Sequence, residues 1–327
     1  MEKQEFIIFN GSSVFSNCCL YTNPNKGNVH LIPVVHLGTK QYYQNLLEYI
    51  GNYPCVYENM LLTSSNDAPQ IILKNFNEHM ESLTTPIDQF WNKYQKFIEL
   101  FYKKRLTRDL KKIRKYVHKA VNKSDERIKK ILDLSERSFF GIQNISLIQL
   151  YWGEITNLTH QFVAIDYNND IKIRDNWIHA DLNVDKELEK QGISMVEILE
   201  EILVNPSPKF LDIRRNEIQL LLMLIYASVE MFELQNVASR RENLALSIIN
   251  TVVENHKTFE QLSPDYLIQG RNTIVEKAIS NLFGENEEIF VFYGAVHQVG
   301  LEKFLLEQNF IFKSQEQFEV FSINDAK

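Results

Sequence analysis

Two stretches near opposite ends of the 327-residue chain follow one pattern, and that pattern limits the fold more than anything else in it. Glu288-Ile289-Phe290-Val291-Phe292-Tyr293 is a short apolar run rich in β-branched and aromatic residues, which reads as a buried strand. Gly294 ends it, His297 follows, Gly300 closes the turn, and Leu301, Phe304 and Leu305 recur at helical spacing. The earlier stretch, Asn28 to Gly38, is again a β-prone run leading to His36 and then glycine, with Tyr42, Leu46, Leu47 and Ile50 at helical spacing. Each histidine is therefore expected on a strand-to-helix turn, the usual place for a ligand crevice in an α/β sheet. A loop histidine in a tight turn is the plain alternative for either.

After Asn52-Tyr53-Pro54 comes a third run, Cys55-Val56-Tyr57, ending in Glu58. Strand, His, helix, strand, Glu is a βαβ-like unit whose short turns put His36 and Glu58 at one edge of a parallel pair. Two histidines and a carboxylate at strand ends suit a catalytic metal site or an acid/base site.

These residues resemble the TraB/PrgY/TIKI-like superfamily, related to the ChaN-like and erythromycin-esterase-like proteins. Its marks are two Gly-x-x-His motifs, a Glu after the second strand and an Arg before the last motif. The second motif stands as Gly294-Ala295-Val296-His297, Glu58 is placed as the family glutamate, and Arg271-Asn272 as its arginine. His179-Ala180-Asp181-Leu182, preceded by Asp166-Tyr167, resembles a signature of some bacterial members. The first motif departs, with Pro33 in place of glycine in Pro33-Val34-Val35-His36. The likeness covers about 29–60, 160–185 and 240–322.

The resemblance implies an α/β, mixed α+β fold of the EreA/ChaN-like kind: a central mixed sheet with helices packed around it. The chain is then one domain over 1–327 with a mainly helical insertion at 61–159. It further implies that His36, Glu58 and His297 converge as metal ligands for Mn, Co, Zn or Fe, with Arg271 assisting, for a metal-dependent hydrolase of the peptidase type. Tyr57, Asp166, Tyr167, His179, Asp181, Asn272 and Gly294 are the candidate substrate contacts. Two alternatives stay open: metal-free, esterase-like hydrolysis with a histidine base helped by Glu and Arg, and ligand or peptide binding without turnover. The substrate is a peptide or small molecule in the enzymatic readings, and a homodimer is an open assembly.

Composition narrows the classes. A net charge of −7 argues against general nucleic-acid binding, and 44% hydrophobic residues supply a sizeable core. Cys18, Cys19 and Cys55 are too few for a disulfide framework and suit a reducing compartment. The start lacks a signal-peptide pattern and no run is long enough to span a membrane, so a soluble cytoplasmic protein is expected. The segment 103–130 carries 13 Lys and Arg against three acids, net +10. It reads as a solvated basic helix, or as a docking surface for an acidic partner or membrane headgroups.

Further elements follow from local pattern. Strands are expected at Glu5–Phe9 and Val14–Tyr21 about an Asn10-Gly11 turn, and at Phe162–Tyr167 with Ile171–Trp177 as hairpin partner. Two closing strands are expected at Phe310–Phe312 and Phe318–Ile323, and ion pairs from Arg240-Arg241-Glu242.

Overall fold

The structure, a computed structural model, describes residues 4–58, 149, 152–153, 155–166, 170–171, 174–181, 231, 234, 236–254 and 268–324. The chain divides into two compact units, 1–62 with 149–182 and 234–327, and 63–148 with 183–233. Nearly all described residues belong to the first unit. The basic stretch 103–130, Tyr167 and most of the insertion expected over 61–159 lie outside them.

The first unit is mixed α+β, built on a seven-stranded mixed sheet with helices around it. Strands β1 (Ile7–Phe9), β2 (Ser13–Asn23) and β3 (Gly27–Val34) form an antiparallel meander. A two-residue strand β4 (Leu37–Gly38), helix α1 (Lys40–Ile50) and β5 (Cys55–Tyr57) follow. Next come β6 (Thr159–His160), which pairs with β4, and β7 (Trp177–His179). Helices α2 (Val237–Ile249) and α3 (Gln269–Leu282), strand β8 (Glu288–Gly294), helix α4 (Gln298–Glu307) and strand β9 (Ile311–Ser322) complete it.

The sheet order is β1-β2-β3-β8-β5-β7, with β9 also paired to β2. Strands β3, β8, β5 and β7 run parallel as neighbours. Their carboxyl ends therefore face one way, and the residues just beyond them are His36, Gly294 to His297, Glu58, and Ala180-Asp181. Amide bonds past the strand ends, Glu58 N–H to Phe292 O at 3.3 Å and Ala180 N–H to Tyr57 O at 3.1 Å, hold Glu58 and Asp181 on course.

Ile289, Val291 and Tyr293 alternate along β8 onto one face, where they meet Val275 and Ile279 of α3 and Leu301 and Leu305 of α4. Arg271, Val275 and Ile279 stand four apart on α3 and are all buried. Arg271 thus extends the helix's core stripe by one turn, toward the strand ends. Each buried aliphatic on that stripe contributes about 1.5–3 kcal/mol, which offsets the cost of bringing a cation along.

Pro33 sits in an internal strand without disrupting it. The β2–β3 ladder stops at Leu31, so its missing N–H removes no bond to β2. The Tyr42 hydroxyl replaces a strand there, donating to Pro33 O at 3.1 Å and accepting from Val35 N–H at 3.3 Å. Tyr43 donates to Val35 O at 2.9 Å. Thr39 caps α1 and sets both tyrosines against the His36 turn.

Several local readings are corrected. The strand expected over Phe162–Tyr167 is not one through Asp166, where the described residues end: Gln161–Ala164 forms a helical turn, because the Gln161 amide is claimed by His36 O at 2.9 Å. Trp177, expected at the end of a hairpin strand over Ile171–Trp177, instead opens β7, which pairs parallel to β5. The two closing strands are one, β9, whose polar middle stays in register because β2 supplies partners along its length. Gly300 lies inside α4 rather than closing a turn. Arg240 and Arg241, expected to form ion pairs, both donate to backbone carbonyls, Arg240 to Leu234 O at 3.0 Å and Ile155 O at 3.2 Å. Arg241 is buried and donates to the carbonyls of Thr156, Asn157 and Ser322 at 2.7–2.9 Å.

The three cysteines are free and buried. No helix among the described residues is long and apolar enough to cross a membrane.

Replacing Tyr42 by Phe should cost about 1–3 kcal/mol in urea unfolding, because Val35 N–H is left buried without its acceptor. Exchange of the Val35 amide should quicken in the same variant. Unchanged stability and protection would remove Tyr42 as the brace of this strand end.

Candidate active site

The guanidinium of Arg271 is the hub of the strand-end crevice. Nε donates to Asp181 Oδ1 at 2.7 Å and Nη2 to Asp181 Oδ2 at 3.0 Å, a bidentate pair. Nη2 also donates to Glu58 Oε2 at 2.7 Å. Nη1 lies 3.3 Å from His297 Nε2. The Tyr293 ring stacks below at 5.1 Å, and its hydroxyl donates to Ala180 O at 3.2 Å and Asp181 Oδ1 at 3.3 Å. Burial opposes the charge on Arg271, but Asp181, Tyr293 and Glu58 outweigh it and hold the group well above its ordinary range.

Glu58 is 1% exposed, and its Oε1 makes no hydrogen bond of normal geometry. Burial raises its pKa from 4.5 to about 7. Arg271 pulls it down and Asp181 pushes it up, and the Gly294 amide beside it compensates only in part. Gly294 matters here through close approach, since its φ is −51° and any residue could adopt it. A Cβ there would stand 3.1 Å from Glu58 Oε1 and 3.5 Å from the His297 ring.

The two motif histidines share a tautomer but not a role. His297 is buried, with Nδ1 2.8 Å from Asn272 Oδ1. A carboxamide oxygen only accepts, so Nδ1 carries the proton and Nε2 accepts from Arg271. His36 Nδ1 lies 3.0 Å from Gln161 Oε1, so it too carries its proton on Nδ1. Its Nε2 has no hydrogen-bond partner among the described residues. Burial drives the His36 pKa from 6.5 to about 4. The Gln161 bond opposes this, and the Arg271 charge lowers it further, which places His36 within electrostatic reach of the cluster. Its ring stacks at 6.4 Å on His160, whose own pKa lies well below the ordinary value because of burial and the His36 charge.

Glu58, Asp181, Arg271, Asn272, Gly294 and His297 thus meet in one hydrogen-bonded cluster, with His36 beside it. Tyr57 and His179 are opposite each other on β5 and β7, with rings 5.5 Å apart, on the sheet face opposite Val56. Asp166 is exposed and bound into a local turn with Asp170. Gln161, absent from the expected set, grips His36 twice, by Oε1 and by its amide. No sequence signal marks it, since it stands 125 positions away.

The proposed metal triad of His36, Glu58 and His297 does not fit this arrangement. Arg271 already takes one oxygen of Glu58 and the only lone pair of His297, and sets a fixed positive charge where a cation would sit. Among the described residues no group of three or more His, Cys, Asp or Glu could hold a metal ion. No protein-family model, no curated protein and no solved structure matches the chain. The chemistry of this cluster therefore carries the functional reading.

Arg271→Lys should lose about 3–5 kcal/mol in denaturant unfolding, since three N–H groups on a single nitrogen cannot reproduce the four bonds of the planar fork and leave buried carboxylate oxygens unpaired. Wild-type stability in that variant would mean the fork is not needed.

Glu58 should leave a mark on stability against pH. Its folded pKa of about 7 exceeds its ordinary 4.5, so the folded state holds a proton that the unfolded chain has released. Its contribution is greatest below about pH 4.5 and is lost as pH rises through 7. Relative to Glu58→Gln, wild type should lose on the order of 2–3 kcal/mol between pH 5 and 8, read by thermal or urea unfolding. A difference that is flat across this range would show that Glu58 titrates normally.

Proposed function

We propose that this chain is a hydrolase working without metal, with His36 as its general base. The reading matches the metal-free alternative implied by resemblance to erythromycin-esterase-like proteins, an EreA/ChaN-like architecture included. The observation that carries it is the His36 imidazole: neutral, its tautomer held by Gln161, with a bare Nε2 at the carboxyl end of a parallel sheet.

Nε2 takes a proton from water as the water oxygen attacks a carbonyl carbon. The resulting imidazolium returns that proton to the leaving oxygen as the carbon–oxygen bond breaks. Arg271, clamped by two carboxylates, gives the site a fixed electrostatic frame and lowers the pKa of His36. Small esters and lactones are the first substrate class, because their leaving oxygen needs little more than one well-placed proton.

The test is a panel of p-nitrophenyl esters with protein stripped of metal by chelator. Hydrolysis should survive chelation and fall by about 10²-fold or more in His36→Gln. The acid limb of the rate should lie near pH 4, where His36 takes its proton, and not near the ordinary imidazole value of about 6.5. That limb should persist in Glu58→Gln. Activity that appears only with Mn, Co, Zn or Fe, or that is untouched in His36→Gln, overturns the proposal. Saturable binding of the esters without turnover would favour a binding protein.

A further inference from the structure

We propose that His297 is a positioning residue and not a proton carrier. Asn272 locks it in one tautomer so that it fixes Arg271, and Gly300 makes room for that lock. The lock is read without substrate; only its use rests on the acid–base proposal.

Arg271 and Asn272 are consecutive in the first turn of α3, and they hold opposite ends of the same ring. Asn272 Oδ1 takes the Nδ1 proton at 2.8 Å, and Arg271 Nη1 donates to Nε2 at 3.3 Å. The ring is a bridge closed at both ends by one helical turn. A second proton, on Nε2, would face the Arg271 N–H, donor against donor, between two buried side chains. His297 can then act as a base only if Arg271 leaves, and Arg271 is also held by Asp181 and Glu58.

Gly300 supplies an independent observation. It lies within α4, where glycine is a poor helix residue. A Cβ there would come 2.3 Å from Asn272 Nδ2, too close for any real contact. Asn272 is 6% exposed, so its carboxamide has little room to retreat while keeping Oδ1 on His297. The glycine's weakness in the helix is balanced by the space it leaves for the lock.

The test is a long-range proton–nitrogen correlation spectrum of the full chain with its eight histidines labelled. The His297 signals are assigned by their loss in His297→Gln. In wild type this ring should show a protonated Nδ1 and a bare Nε2, unchanged from pH 8 to pH 5. A proton on Nε2, or titration near the ordinary value of about 6.5, overturns the proposal. Asn272→Leu and Gly300→Ala should both lose the single-tautomer signature, while Asn272→Asp, which keeps an acceptor, should retain Nδ1–H. On a p-nitrophenyl ester, Asn272→Leu should lower kcat about tenfold and leave the acid limb where His36 sets it. A limb that moves with Asn272 would make His297 the base and sink the lock. If wild type hydrolyses no ester, the hydrolase reading fails alone, and the wild-type spectrum still decides the lock.

Discussion

The burial of one arginine beneath the ends of four parallel strands is the constraint on which the rest of the site depends. Desolvating a guanidinium is costly unless its donors are all directed at acceptors. Arg271 directs four of its five N–H groups at acceptors, two at Asp181 after β7, one at Glu58 after β5 and one at His297 after β8. Each comes from a different strand, so the ion pair ties the ends of the sheet together while α3 packs its face. Asp181 is the better partner, gripping two nitrogens. Glu58 keeps one oxygen without a bond of normal geometry, and burial, helped by the Asp181 charge, raises its pKa in spite of the cation beside it.

The two histidines show how surroundings divide identical groups. Both have Nδ1 on a carboxamide oxygen and so present Nε2 as the bare nitrogen. Beyond β8 that nitrogen meets Arg271 and is spent on geometry. Beyond β3 it meets no donor among the described residues and stays available for chemistry. The difference lies in where α3 docks. Its stripe of Arg271, Val275 and Ile279 covers β8 and reaches His297, whereas the His36 turn is braced from the other direction by Tyr42, Tyr43 and Gln161.

Much of this was legible in sequence because strand ends announce themselves. The apolar runs before His36, Glu58 and His297 are real strands, and parallel pairing alone puts their last residues in a row. Asn272 was in the expected set, though as a substrate contact and not as the acceptor that orients His297. The run before Asp166 was expected as a strand and is helical instead, with the Gln161 amide drawn to the His36 carbonyl. Arg241 looked like a surface charge in a polar run, yet it is buried against three carbonyls from two distant segments. Local pattern does not distinguish an arginine facing water from one facing orphaned carbonyls.

By itself the sequence determined the alternation that makes β8 a core strand, the helical stripe that buries Arg271, and the turns that carry both histidines. Those properties are local, set by a period of two or of 3.6 residues. Only the tertiary structure decided that Arg271 would bond both Glu58 and His297, that Gln161 would orient His36 from 125 positions away, and that Gly300 would face Asn272. The reason is physical: hydrogen-bond partners and close approaches are set by how helices dock on the sheet, and docking depends on volumes and donors brought from remote segments together.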